Sequence, residues 1–313
     1  MTPAEALQSL SLPMFAAPMF LVSGPDLVVE ACKAGIVGAF PTPNCRTVEG
    51  LKRWMEEITG RLAEAQAEDP ARRVAPWAAN LVVHSTNSRL PEDLELIIQY
   101  RAPIVITALG SPKRVVTNVH SYGGLVFADV NSVSLARKAA STGVDGLVLV
   151  CAGAGGHTGD LCHFAFVEEV RRFWDGYIAL AGGIATGNAV RACKILGADF
   201  AYVGTSFIAT EESLADPQHR QLLTECSAQD LVVTKAFTGA NANMLRPSIE
   251  AQGINPDDLI DKKAKMNFTG QKDMEAKPWK GIWSAGQGVG AIDGTLSVRD
   301  LVARFESEYA QFV

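Results

Sequence analysis

The chain has 313 residues, 48% of them hydrophobic and 20% charged, and its formal net charge is −6. This apolar content supplies a sizeable core and excludes a disordered chain. The acidic balance offers no basic stripe of the kind that binds nucleic acid, and no apolar run approaches the roughly 18 residues of a membrane span. The N-terminus lacks a basic segment followed by an apolar one, so a cytoplasmic protein is expected. The length exceeds one ordinary core, but an α/β barrel commonly runs to about 200–250 residues as a single domain. One barrel-sized domain with an addition is therefore expected. The six cysteines, Cys32, Cys45, Cys151, Cys162, Cys193 and Cys226, show no CxxC pair and no metal-ligand spacing. They read as free, mostly buried thiols. Cys162 and His163 adjoin, but sequence neighbours rarely form a nucleophile–base pair.

Residues 13–17 read as a first strand, and Gly24-Pro25-Asp26 opens a helix that stops at Gly35. A second strand over 36–40 leads to a long amphipathic helix over 48–66, and a third strand covers 74–83. Pro91-Glu92-Asp93 opens the next helix, with acids in the first turn where the helix dipole favours them. Strands follow at 103–108 and 125–128; Asn131 or Ser132 can cap a helix over 133–141 that stops at Gly143. The run 146–150 is a buried strand, 164–174 is amphipathic, 177–181 is a strand, 189–196 a helix ending at Gly197, and 200–203 the eighth strand. Short apolar strands alternating with helices predict a parallel (β/α)8 barrel. A doubly wound open sheet is the competitor, weakened because no G-x-G-x-x-G follows the first strand.

Past about residue 211 the alternation stops. Residues 212–230 read as helical, 237–246 as polar and Gly- and Asn-containing, Asn255-Pro256-Asp257 as a helix start, and 262–265 as a solvated charge run. Residues 281–290 return to Gly-rich turns, and 297–309 form an amphipathic helix that rejoins the barrel. The predicted division is a barrel from 1–211 and 281–313, with a helical excursion over 212–280 that covers the barrel mouth.

In such barrels the working groups sit just past the C-terminal ends of the strands. The most conspicuous stretch there is Ala152-Gly153-Ala154-Gly155-Gly156-His157-Thr158-Gly159, in which glycines let the backbone approach a flat ligand and one histidine projects. Gly182 and Gly183 follow strand seven, and Gly204 and Thr205 follow strand eight. Loops in these two places often bind phosphate through backbone N–H groups. The plainer reading is that the glycines only end strands. A phosphate grip without other charge clusters suggests FMN or a phosphorylated substrate.

Ala17-Pro18-Met19, Asn80, Gly155-Gly156-His157-Thr158-Gly159, Ala181-Gly182-Gly183-Ile184, Tyr202-Val203-Gly204-Thr205 and Ala285-Gly286-Gln287-Gly288-Val289-Gly290 together resemble, in order and over almost the whole chain, the nitronate monooxygenase (2-nitropropane dioxygenase) family. The motifs are also similar to those of flavin-dependent enoyl-acyl-carrier-protein reductases. The resemblance implies a TIM barrel with noncovalent FMN at its mouth. Ala17, Pro18 and Met19 would line the isoalloxazine, and Asn80 would hydrogen-bond the flavin. Gly155 and Gly156 would pass close to the ring. Gly183, Tyr202, Val203, Gly204 and Thr205 would hold the phosphate, with Gln287 and Gly288 closing the site. His157 is the candidate base.

Two positions depart from the family pattern. Val150 stands in a segment where many members carry glutamine and glutamate, and Asp129 stands after strand five where some carry a basic residue. An acid there disfavours an anionic reduced ring or an anionic substrate. His84 and Trp283, with Trp279, are further candidates for the substrate pocket, against readings as packing residues.

The leading expectation is oxidation of alkyl nitronates and nitroalkanes by O2 to carbonyl compounds and nitrite. A histidine can take the α-proton of this carbon acid while the flavin carries the electrons. The alternatives are an NAD(P)H-dependent flavin reductase of an enoyl thioester or quinone, and a non-catalytic barrel that binds a phosphate ligand. The expected partners are a small-molecule substrate and O2, with NAD(P)H under the reductase reading, and homodimer formation is left open.

Overall fold

Alternate residues of the apolar strands bury two different faces, one towards a shared interior and one towards helices. Strands apolar on both faces are stable when the sheet closes on itself under a helical coat. The computed structural model describes residues 1–259 and 281–311. In it, β1 (Met14–Ala16), β2 (Val37–Pro41), β3 (Trp77–Val82), β4 (Ile104–Ala108), β5 (Leu125–Val130), β6 (Gly146–Val150), β8 (Tyr177–Ala181) and β9 (Phe200–Val203) form a closed barrel in that order. All pairs are parallel, and β9 closes on β1 through Phe15↔Tyr202 and its neighbours. The two-residue strand β7 (Gly156–His157) lies outside the barrel.

Phe15, Ala39, Ala78, Ile106, Phe127, Val148, Ala179, Phe200 and Tyr202 fill the interior. Their neighbours Met14, Ala16, Phe40, Ala79, Val105, Leu147 and Leu180 pack outwards against the helices. The lower interior is aromatic: Phe15 lies 5.6 Å from Phe127 and 5.3 Å from Phe200, ring centre to ring centre. Helix α1 (Pro3–Gln8) lays Leu7 against this cluster and plugs the N-terminal end.

The coat consists of α2 (Pro25–Lys33), α3 (Val48–Glu68), α4 (Leu90–Gln99), α5 (Lys113–His120), α6 (Val133–Ala140), α7 (His163–Arg171) and α8 (Gly187–Ile195). The sequence reading did not locate α5. It is short, and its apolar stripe of Val115, Val116 and Val119 is β-branched, which weakens the helical signal. After β9, α9 (Thr205–Ile208) makes a single turn. The eighth outer position is taken by α12 (Val298–Ala310), which packs on α8 and α2. Glu308 accepts the Gly187 N–H at 2.6 Å, and the Arg191 guanidinium donates to the Tyr309 carbonyl at 2.8 Å.

The region read as a helical excursion is mixed in its described part. It holds α10 (Pro217–Glu225) and α11 (Arg246–Glu250), but also β10 (Leu231–Thr234) and β11 (Ala242–Leu245), paired antiparallel. β11 then pairs with β7, in the order β10-β11-β7. Val232, Val233 and Thr234 favour strand, yet a hairpin this small needs a further partner. That partner is far upstream, so helical periodicity missed it. The charge run 262–265 and Trp279 lie outside the described residues. Among the described residues, no helix is long and apolar enough to cross a membrane.

Candidate active site

The C-terminal ends of the barrel strands converge on one mouth, and the loops there are held by specific contacts. After β1, the Ala17 N–H donates to the Val203 carbonyl at 2.8 Å, which joins this loop to the end of β9. Asn44 fixes the rest of the turn. Its Oδ1 accepts the Leu21 N–H at 2.8 Å, and its Nδ2 donates to the carbonyls of Met19 and Ser23 at 3.1 and 2.8 Å. Leu21 is thereby kept at φ 62, in the left-handed region that a leucine avoids, and Leu109 after β4 has φ 61. No pattern in the sequence singles out Asn44, because its role depends on a turn that lies 21–25 residues upstream.

The glycine loops after β6 and β8 interlock with 285–288. A Cβ on Gly155 would lie 2.6 Å from the Gly286 nitrogen, and one on Gly288 would lie 2.9 Å from the Gly183 carbonyl oxygen. The Gly153 carbonyl accepts N–H bonds from Gly183 at 3.2 Å and Gln287 at 2.9 Å. Gly182, at φ 125, faces the Ala152 carbonyl and accepts a 2.7 Å bond from His163 Nε2. Gly155, Gly182 and Gly288 are thus required by backbone packing, and the Gly183 N–H is already engaged. Two positions stay open. A Cβ on Gly204 would make only ordinary contact with Met19 Sδ at 3.6 Å, and Gly183, at φ 64, has nothing nearer than 3.9 Å. Thr205 Oγ1 accepts the Gly286 N–H at 2.8 Å, which ties β9's loop to the 285–288 segment. Ser206, next in sequence, is buried, and its hydroxyl has no partner among the described residues.

Asn80, Asp129 and Tyr202 share the interior face of the barrel with Ala78, Phe127 and Phe200. Asn80 donates to the Ile106 carbonyl at 3.1 Å. Asp129 and Tyr202 are different. The Asp129 residue retains some surface, but its Oδ1 is enclosed and unpartnered, as is the Tyr202 hydroxyl. Burial pushes the Asp129 carboxyl up to about 7, and burial together with the Asp129 charge pushes the Tyr202 phenol well above its usual range. Asp129 therefore lies within β5, facing the barrel interior, rather than after the strand as expected, and it is only partly ionised near neutrality. This softens the electrostatic penalty expected from the sequence. Tyr202 and Val203 offer no side chain to a phosphate loop: Tyr202 points inward, its ring tilted against Phe15, and Val203 packs outward under the helices. Val150 lines the interior.

His157 stands on β7, held by pairing with Ala242 of β11, and the next residue, Thr158, donates its N–H to the Asn241 carbonyl at 3.0 Å. The residue is exposed at the surface of the loop, and its ring makes no hydrogen bond among the described residues. Protein around the imidazole still holds its pKa below the ordinary value, so the ring is neutral at pH 7. His84 Nδ1 pairs with the Thr86 hydroxyl at 2.8 Å, closing its own turn after β3. Trp283 stacks on His219, ring centres 5.3 Å apart, within a satellite core around Leu223 and Leu245. His163 binds the Gly182 carbonyl, as given above, and burial pushes Cys32, Cys45, Cys151 and Cys193 up to about 12. These thiols are inert at neutral pH.

Residues 2–308 match the family described as nitronate monooxygenase. The chain is 28% identical over 235 residues, 70% of its own length and 62% of the other's, to a Mycobacterium tuberculosis protein named as a monooxygenase, Rv1533. It superposes on the crystal structure of nitroalkane oxidase from Streptomyces ansochromogenes with a TM-score of 0.81, at 22% identity, covering 97% of each chain. Against the FabK (M276A) mutant from Thermotoga maritima the TM-score is 0.77 at 23% identity, over 98% of this chain and 94% of that one. Barrel, mouth and ordered motifs agree with the match along nearly the full length: the chain belongs to the nitronate monooxygenase family of oxidoreductases.

Proposed function

We propose that the protein is an FMN-dependent oxidoreductase that converts alkyl nitronates, and their parent nitroalkanes, with O2 to carbonyl compounds and nitrite. The observation that carries this reading is the free, neutral imidazole of His157, presented at the barrel mouth by a strand pair. The residues present suit FMN. Buried, unpartnered groups on Asp129, Tyr202 and Ser206 can receive the polar edges of a ligand, and Gly204 and Gly183 leave room for a phosphate.

When bound, the flavin supplies an acceptor for the substrate's electrons and a donor to O2. Ala17, Pro18 and Met19, fixed through Val203 and Asn44, would line the ring, with Asn80 beneath. Gly204 and Thr205 would hold the phosphate, and Gly183, whose N–H is bound to the Gly153 carbonyl, would leave it room. His157 accepts the proton from the α-carbon of a nitroalkane at an imidazole nitrogen. For a preformed nitronate, which has already lost that proton, it only orients the anion. Strand β11 fixes the backbone on which it stands, so the base is aimed from a rigid element.

The test is to mix the flavin-loaded protein anaerobically with an alkyl nitronate, NADH or NADPH and follow flavin bleaching. Rapid bleaching by nitronate is expected. Rapid reduction by a nicotinamide with no response to nitronate would favour the second reading, an NAD(P)H-dependent reductase of an enoyl thioester or quinone. The fold shared with FabK keeps that reading in view.

A further inference from the structure

In the loop between β6 and α7, Gly155 and Gly156 stand directly before His157. Two consecutive glycines leave the backbone unusually free, and Gly156 is held at φ 65. The imidazole has a fixed place only if the chain is anchored on both sides of this pair. After the histidine, Thr158 Oγ1 donates to the Cys151 carbonyl at 3.1 Å. Before the glycines the anchor comes from 89 residues further along the chain: Asn243 Nδ2 donates to the Ala154 carbonyl at 2.7 Å. A carbonyl can only accept, which fixes the amide with its nitrogen towards the loop. Asn243 lies opposite Gly156 in the pairing of β11 with β7. A neighbour without a side chain leaves the amide a path to Ala154.

The amide is unfavourable where it stands. Asn243 is 1% exposed, and its Oδ1 has no partner among the described residues. A buried acceptor left unpaired works against folding, and an apolar side chain of the same size would fill the space without it. What the amide has and a leucine lacks is the donor to Ala154. We infer that Asn243 is a positioning residue: its bond to the Ala154 carbonyl sets the backbone of Gly155 and Gly156, so that His157 meets the substrate in one orientation. This rests on the reading of His157 as the base. The loop cannot give way on its other side either, because Gly155 lies against the Gly286 backbone.

The experiment replaces Asn243 by leucine and follows anaerobic flavin reduction by nitroethane and by ethyl nitronate. Asn243→Leu should slow reduction by nitroethane about 10–100-fold, because a base displaced by about 1 Å loses its line to the proton. KM and the rate with ethyl nitronate should each change by less than about threefold. The double variant Asn243→Leu/His157→Asn should be no slower with nitroethane than His157→Asn alone, since the amide acts only through the imidazole. Losses that multiply in the double variant, or an unaltered nitroethane rate in Asn243→Leu, overturn the inference. Hydrogen–deuterium exchange of the flavin-free protein gives a readout independent of turnover. Exchange in the segment 152–160 should rise about tenfold in Asn243→Leu while β6 and β8 stay protected. No rise, or an equal rise throughout the barrel, refutes the positioning role. If leucine is not accommodated, Asn243→Ser, one bond shorter than the reach to Ala154, gives the same comparison. If the unaltered protein is reduced by neither nitroethane nor ethyl nitronate, the proposed function fails, and the exchange measurement still decides whether Asn243 sets the loop.

Discussion

Asp129→Asn gives the sharpest test of the electrostatics inside the barrel. The carboxyl's ordinary pKa of 3.8 rises to about 7 in the fold, so the folded state holds this proton more tightly than the unfolded chain. Stability from this group is complete below about pH 4 and falls as pH rises towards 7. Above that it stays low, because the ionised group is then buried without a partner. A separation of about three pH units, at about 1.4 kcal/mol each, makes the loss about 4 kcal/mol at most. The surface that Asp129 retains makes this an upper bound. Asparagine keeps the shape but cannot ionise. For a chain of this size about 2 °C accompanies each kcal/mol. The flavin-free variant should therefore melt up to about 8 °C above the unaltered protein at pH 8 and level with it at pH 4. Parallel melting curves across that range would show that Asp129 is solvated or paired in solution, and the reasoning would be wrong.

His157→Asn should keep flavin binding and lose about 10²–10⁴ in turnover of neutral nitroalkane, with a much smaller loss for preformed nitronate; stopped-flow rates with both substrates check this. The base must be neutral, and its pKa is lowered, so nitroalkane turnover should decline on the acid side only below the ordinary imidazole pKa, which a pH–rate profile reads. Gly155→Ala places a Cβ against the Gly286 backbone and should cost about 1–3 kcal/mol in urea unfolding. Gly204→Ala meets only ordinary contacts, so it should leave stability nearly unchanged while weakening FMN in a fluorescence titration. Asn44→Ala removes three hydrogen bonds that hold Leu21 in its strained turn, which predicts a loss of about 2–4 kcal/mol and weaker flavin retention.

The sequence alone determined the eight-strand alternation, because apolar runs such as those ending in Val150 and Val203 bury both faces and need no distant information to be read as strands. It also located the glycine turns and His157, since backbone freedom and a titratable side chain are properties of the residues themselves. What it could not assign was the duty of each glycine. Gly155 and Gly288 are shaped by 285–288 and 183, which approach only once the barrel has closed. Nor could it tell that 231–234 pairs with 242–245 and that this pair carries His157, because a short strand takes its identity from its partner. The tertiary structure likewise decided the electrostatics at Asp129 and Tyr202. A carboxyl's charge depends on how far water is excluded from it, and that exclusion exists only once the barrel has closed around Asp129.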